Sequence, residues 1–236
     1  MMSTGLIVAL DVKSFAEAKD LIDELSPVVD VFKIGGILYL EDGNRTIEYV
    51  KSKGRRVFLD LKFFDIPNTV KETSYAAAKL GVDMFTIHLL GGKEMIAGAL
   101  KGSEEGASAA GGKKPLILGV TILTSMNEAV IRNELRIGSD LPGMVLHLAR
   151  QGYDCGLRGF VCSPHEIEIL RGELGGDATL VTPGVRLAGD GAGDQKRVMT
   201  PKAAKELGAS YIVMGRSVLD KPDRPGAVKM ILEELA

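Results

Sequence analysis

Short apolar runs rich in Val, Ile and Leu alternate along this chain with stretches whose apolar residues recur at three- and four-residue spacing. The first pair is LIVAL (6–10) and SFAEAKDLIDEL (14–25). In the second, Ser14 and Glu17 stand at capping-box spacing and Ala18, Leu21, Ile22 and Leu25 form one helical stripe. VFKIG (31–35) precedes a helical pattern at 44–53 closed by Gly54. VFLDLK (57–62) precedes a helix opened by Pro67 and closed by Gly81, and DMFTIH (83–88) one that starts near Gly92. The second half repeats the scheme. LILGVT (116–121) is followed by Ser125 and Glu128, and RGFVCS (158–163) ends in Ser163 with Glu166 beyond it, both pairs at capping-box spacing. TLVTPG (179–184) leads through a glycine-rich loop to a helix opened by Thr200 and Pro201, and SYIVMGR (210–216) precedes the last helix. The stretch 106–114 (GASAAGGKK) is low in complexity and is expected to be a mobile surface connection.

About eight βα units result, each long enough for a crossover, so the sheet is parallel. Eight units close into a barrel or spread into an open doubly wound sheet. The first βα turn lacks GxGxxG, which counts against a dinucleotide fold. At 236 residues, a single domain over 1–236 is the expected organisation.

Composition narrows the function classes. The 29 basic and 31 acidic residues leave a net charge of −2, which argues against a general nucleic-acid binder. No apolar run approaches the ~18 residues of a membrane helix. The apolar start, Leu6 to Leu10, has no basic flank and is stopped by Asp11, so no secretory signal is expected. Cys155 and Cys162 are the two cysteines, which suits a reducing cytoplasm, and neither CxxC nor HExxH occurs to hold zinc.

The chemistry gathers where the apolar runs stop. Asp11, Lys33, Asp60 with Lys62, His88, Thr121 with Thr124, Ser163, Thr182 with Pro183, and Gly215 with Arg216 follow the eight runs in order. In a parallel barrel these ends share the rim where active sites are built. Asp60 and Lys62, two apart on a strand, face the side of Phe58 and neutralise one another. With Lys33 and Asp65 they extend to an alternating Lys-Asp-Lys-Asp array. The alternative is a buried ion-pair network without a catalytic role. Gly215-Arg216 opens a helix and reads as an anion grip, and the loop 186–197 reads as a lid. His147 and His165 read as packing or surface residues, and Cys162 as a small buried one.

The run DLKFFDIPNTV (60–70) resembles the signature of the orotidine 5′-monophosphate decarboxylase family. So do LIVALDV (6–12), VFKIG (31–35), VTILTS (120–125), VCSPHE (161–166), VTPGVR (181–186), DQKRVMTP (194–201) and VMGRS (213–217), in the family's order. The resemblance implies a (β/α)8 TIM barrel that converts orotidine 5′-monophosphate to UMP without a cofactor. It implies Lys62 as proton donor to C6 of the pyrimidine, Asp60 beside the substrate carboxylate, and Lys33 and Asp65 completing the charged array. It places Asp11, Lys33 and Thr69 near the ribose, Thr124 and Ser125 at the pyrimidine, and Arg186, Gln195, Gly215 and Arg216 at the phosphate, with Pro183 also in contact with substrate. It further implies a homodimer in which Asp65 and Ile66 enter the other subunit's site. Phe64 stands where many members carry histidine, and only altered local packing is expected from it.

Two rivals remain at this point. A Mg²⁺-dependent sugar-phosphate enzyme of the same superfamily needs carboxylates converging on the metal, and Lys33 opposes that. A non-catalytic phosphate-binding barrel would keep the anion grip but break the Asp-Lys-Asp set, which is intact here.

Overall fold

A computed structural model describes residues 4–187 and 199–236. Eight parallel strands close into a barrel in sequence order, the first pairing with the last. They are β1 (Gly5–Ala9), β2 (Val31–Gly35), β3 (Arg56–Phe63), β4 (Met84–His88), β5 (Leu116–Val120), β6 (Gly159–Val161), β7 (Thr179–Pro183) and β8 (Tyr211–Met214). The helices between them are α1 (Phe15–Leu25), α2 (Gly36–Ser52), α3 (Pro67–Lys79), α4 (Gly92–Ala109), α5 (Leu141–Asp154), α6 (Ile167–Leu174) and α7 (Pro201–Glu206), with α8 (Arg216–Leu219) and α9 (Arg224–Leu235) closing the chain. This is the (β/α)8 barrel, and the choice between closed and open sheet is settled by the β1–β8 pairing.

Both faces of each strand are buried, so the strands read as continuous apolar runs. The period of two still sorts them. Leu6, Val8 and Leu10 face the helices, whereas Ile7 and Ala9 join Val31, Phe58, Met84, Leu118, Val181 and Val213 inside the barrel. That inner plug is buried and apolar. It forms the floor beneath the strand ends.

Several local expectations hold. Ser14 caps α1 by accepting from Glu17 N–H. Ser163 and Glu166 form a complete capping box at the turn before α6. Thr200 caps α7, with Pro201 in its first turn. Others are corrected. The helix expected at 44–53 begins at Gly36, directly after β2, and is broken by non-helical backbone at Asp42. That break interrupts the 3.6-residue period, so only the second half is legible in sequence. After β5, Asn127, and not Ser125, accepts from Val130 N–H and opens a π-helical turn at Val130–Glu134. Glu128 instead binds Arg132 and the Leu141 N–H. The last crossover holds two helices, and Arg216 opens the short α8 while α9 ends the chain.

The low-complexity stretch is the largest correction. Residues 106–109 are the last turn of α4, and Gly106 and Ala107 are buried. Gly98, Gly102 and Gly106 lie against the backbone carbonyls of Pro67, Lys71 and Tyr75 on α3. Residues four apart on each helix therefore meet, and side chains there would hold the helices apart. Residues 110–114 are an exposed connection as expected, but Gly106, the first residue of the stretch, belongs to the contact surface of the α3–α4 pair.

Candidate active site

Following the inward series of each strand upward, the apolar floor gives way to polar groups. Val31 is succeeded by Lys33, Phe58 by Asp60, Met84 by Thr86 and His88, and Ala9 by Asp11. The Lys33 ammonium lies 2.9 Å from Asp11 Oδ1 and 3.7 Å from Asp60 Oδ2. Lys62 Nζ donates to Asp60 Oδ1 at 2.9 Å. Four charges of alternating sign thus run Asp11–Lys33–Asp60–Lys62 across three adjacent strands. Asp60 and Lys33 are nearly enclosed, with side chains 16% and 12% exposed, while Lys62 at 39% reaches into open space. Burying such charges is tolerable because each has an opposite neighbour and Asp60 also accepts from the Thr86 hydroxyl.

The β3–β4 register shifts between Leu59 and Phe63, so plain strand alternation does not hold there. Lys62 has φ +50°, in the left-handed region that non-glycine residues rarely adopt. The two charges share a face because of a bulge.

These groups line a cavity of about 910 Å³ at the C-terminal end of the barrel, within the range of small-molecule sites. Of the residues expected to form the site, Asp11, Lys33, Asp60, Lys62, Thr124, Pro183, Arg186, Gly215 and Arg216 all line it. Val120, Ile122 and Leu123 supply an apolar wall. Gln195 and most of the expected lid lie outside the described residues.

Asp65, Ile66, Thr69 and Ser125 do not line the cavity of their own chain. Asp65 is exposed, and its carboxylate accepts from the adjacent Ile66 N–H at 2.6 Å. Within one chain, Asp11 and not Asp65 supplies the second carboxylate of the array. Ile66 is 66% exposed and Phe64 59%, an unusual pair of apolar side chains in solvent. Phe64 stacks obliquely on the His88 ring, with centroids 5.5 Å apart.

His88 is nearly buried and its Nδ1 accepts from Leu90 N–H. Burial, with the Lys62 ammonium nearby, holds its pKa below the ordinary 6.5. Cys162 lies behind the rim with its thiol pushed up to about 12, chiefly by burial and then by Glu166. It is no nucleophile at neutral pH. Thr86 escaped the sequence reading. It is fully buried, donates to Asp60 Oδ1 at 3.0 Å and accepts from Lys62 N–H at 2.8 Å. The available signal was a lone hydroxyl on the inward side of an apolar strand.

A divalent cation would require Asp11 and Asp60 to turn toward it, but Lys33 already occupies the space between them. Among the described residues, no group of three or more His, Cys, Asp or Glu side chains converges to hold a metal ion.

The model of the orotidine 5′-phosphate decarboxylase / HUMPS family matches residues 4–231. The chain belongs to this family. Among its orotidine 5′-phosphate decarboxylase relatives, that of Heliobacterium modesticaldum is 42% identical over 231 residues, covering 98% of this chain and 95% of the relative. The Nostoc sp. orotidine 5′-phosphate decarboxylase is 44% identical over 235 residues, covering 100% and 98%. The crystal structure of orotidine 5′-phosphate decarboxylase from Lactobacillus acidophilus superposes with a TM-score of 0.87 at 37% identity, covering 98% of this chain and 99% of that one. The resemblance read from the motifs is therefore correct at the level of family and fold. The cavity's charged array falls on three of the segments that carried that resemblance, 6–12, 31–35 and 60–70.

Proposed function

We propose that this chain decarboxylates orotidine 5′-monophosphate to UMP, a step of pyrimidine biosynthesis, with no metal or organic cofactor. The observation that carries the reading is the Asp11–Lys33–Asp60–Lys62 chain in a cavity that also holds Arg186 and Arg216. Family membership and the names of the full-length relatives support it. In this mechanism the C6–carboxylate bond breaks, CO₂ leaves, and the electron pair stays on C6. The Lys62 ammonium stabilises that carbanion and then delivers a proton to it, becoming a neutral amine that regains its proton from water. Asp60 holds Lys62 in place and stands beside the departing carboxylate. Lys33 compensates Asp60, and Asp11 with Lys33 presents hydrogen-bonding groups to the ribose. Arg186, Gly215 and Arg216 hold the phosphate, with Gln195 added from the lid.

The reading includes a second copy of the chain. Asp65 and Ile66 stand exposed beside Phe64 at the start of α3, and a partner's cavity would receive them. Both cysteines are free thiols, which suits the cytoplasm, and no helix of the described residues is long and apolar enough to cross a membrane. The deciding experiment follows the loss of orotate-type ultraviolet absorbance when orotidine 5′-monophosphate is added, before and after exhaustive dialysis against EDTA. Turnover unchanged by EDTA is expected. Activity lost to EDTA and restored by Mg²⁺ overturns the cofactor-free reading, and no turnover at all overturns the substrate.

A further inference from the structure

The geometry points to Thr86 as a positioning residue that holds both Asp60 and Lys62 in their working arrangement. The inference rests on the decarboxylase reading and deepens it.

Phe58 and Leu59 pair with Met84 and Phe85, but Phe63 pairs with Ile87. Between these points β3 advances by three residues, Asp60, Leu61 and Lys62, while β4 advances by one, Thr86. Such a bulge takes backbone N–H groups of the longer strand out of register with the carbonyls opposite. Within this irregular stretch the Lys62 N–H donates to the Thr86 hydroxyl at 2.8 Å. The same hydroxyl turns its own hydrogen to Asp60 Oδ1 at 3.0 Å. That oxygen also receives the Lys62 ammonium at 2.9 Å. One side chain therefore closes a ring that runs from the Lys62 backbone through Thr86 and Asp60 to the Lys62 ammonium.

The ring has a reason to exist. Lys62 sits at φ +50°, a conformation that persists only when its surroundings over-determine it. Thr86 is fully buried, so water does not replace its hydroxyl. Its two hydrogen bonds use it as donor and acceptor at once, and neither can be supplied by an apolar side chain of the same shape. Without the hydroxyl, the Lys62 N–H loses its partner, the bulge relaxes, and the ammonium moves relative to C6 of the substrate. A misplacement of about 1 Å costs up to about a hundredfold in rate. Thr86 touches no reacting atom in this scheme. Its effect passes through Lys62 and Asp60.

The test compares Thr86→Val, Thr86→Ala and Thr86→Ser in the full-length protein. Val keeps the shape, Ala guards against a variant that folds poorly because of bulk, and Ser keeps the hydroxyl. Turnover of orotidine 5′-monophosphate, binding of UMP by calorimetry and thermal unfolding are measured on each. For Val and Ala, kcat is expected to fall about 10- to 100-fold, with UMP affinity within about threefold of wild type. Ser is expected to restore kcat to within about threefold of wild type. Val and Ala retaining wild-type kcat overturn the inference while leaving the decarboxylase reading intact. So does a loss of kcat that Ser does not rescue, or one matched by an equal loss of UMP affinity. A wild type without turnover overturns both.

Discussion

Replacing Gly102 by alanine tests whether α3 and α4 touch at the backbone. A Cβ on Gly102 would fall well inside contact distance of the Lys71 carbonyl oxygen. That oxygen is part of a helix and cannot rotate aside, so the helices must separate. Overpacking of this kind costs about 1–3 kcal/mol, and an immobile backbone neighbour puts the cost at the upper end. Alanine returns about 1 kcal/mol of helix propensity. The net loss is about 2 kcal/mol, or about 4–8 °C in Tm for a domain of this size. Gly172, exposed inside α6, is the internal control, because a Cβ there meets nothing within 4 Å. Gly172→Ala keeps only the propensity gain and is expected to raise Tm by about 2–4 °C. Thermal unfolding followed by circular dichroism, with wild type and both variants in one buffer, reads the two signs. If Gly102→Ala unfolds at or above the wild-type temperature while Gly172→Ala behaves as expected, the close α3–α4 approach is wrong.

Three further outcomes are expected. Lys62→Ala should lower kcat by at least about a hundredfold with little change in Tm, because Asp60 keeps Lys33 and Thr86 as partners; a variant that keeps more than about a tenth of wild-type turnover removes Lys62 from the chemistry. Mixing inactive Lys62→Ala with inactive Asp65→Ala should restore part of the activity through heterodimers with one intact site; if mass measurement shows subunit exchange and no activity returns, Asp65 acts within its own chain. His88 has a folded pKa below its ordinary 6.5, so the unfolded chain takes up its proton first and stability falls as pH drops below about 6.5, levelling off beneath the folded value. Unfolding midpoints measured between about pH 7.5 and 5 should slope less in His88→Asn than in wild type, and equal slopes would show that another group is responsible.

The strand pattern was legible because every βα unit buries its strand on both faces, and LIVAL, VFLDL or DMFTI have no other stable place. The ring of polar residues at the strand ends was legible for the same reason: a charge that stops an apolar run must sit at its end. What escaped depended on backbone irregularity. The bulge that places Lys62, the break at Asp42 and the π-helical turn after β5 each shift a side chain without changing the composition around it. Thr86 escaped because a single threonine in MFTIH is as compatible with a strand as valine is. The stretch 106–114 misled because glycine and alanine mark both flexible segments and close helix contacts. Only the four-residue spacing of Gly98, Gly102 and Gly106 separates the two, and its last member belonged to the supposed loop. Asp65, three residues after Lys62, is expected to complete the array from a partner subunit, and within its own chain it stands exposed outside the cavity. The chain leaves the barrel in between, and Asp11, far away in sequence, takes the neighbouring place through the β1–β2 pairing.

The distribution of charge around the barrel then decides how a substrate enters. The alternating array occupies the ends of β1 to β3 and is neutral as a set, two aspartates against two lysines. Arg186, beyond β7, and Arg216, beyond β8, line the next arc, which adjoins the Asp11 end of the array because β8 pairs with β1. Val120, Ile122 and Leu123, at and beyond the end of β5, leave an apolar wall between them. A ligand with a phosphate at one end gains nothing net by presenting it to lysines that aspartates already neutralise. Charge-assisted hydrogen bonds to two arginines contribute about 1.5–3 kcal/mol each. Their sum is enough to favour one orientation by a factor of a hundred or more. In the proposed reaction, a phosphate held there would direct the pyrimidine along the apolar wall to Lys62, with its C6 carboxylate beside Asp60. On the proposed mechanism the arginine arc would set which atom the ammonium faces, and Lys62, the more open of the two array lysines, would be the one to meet the developing carbanion.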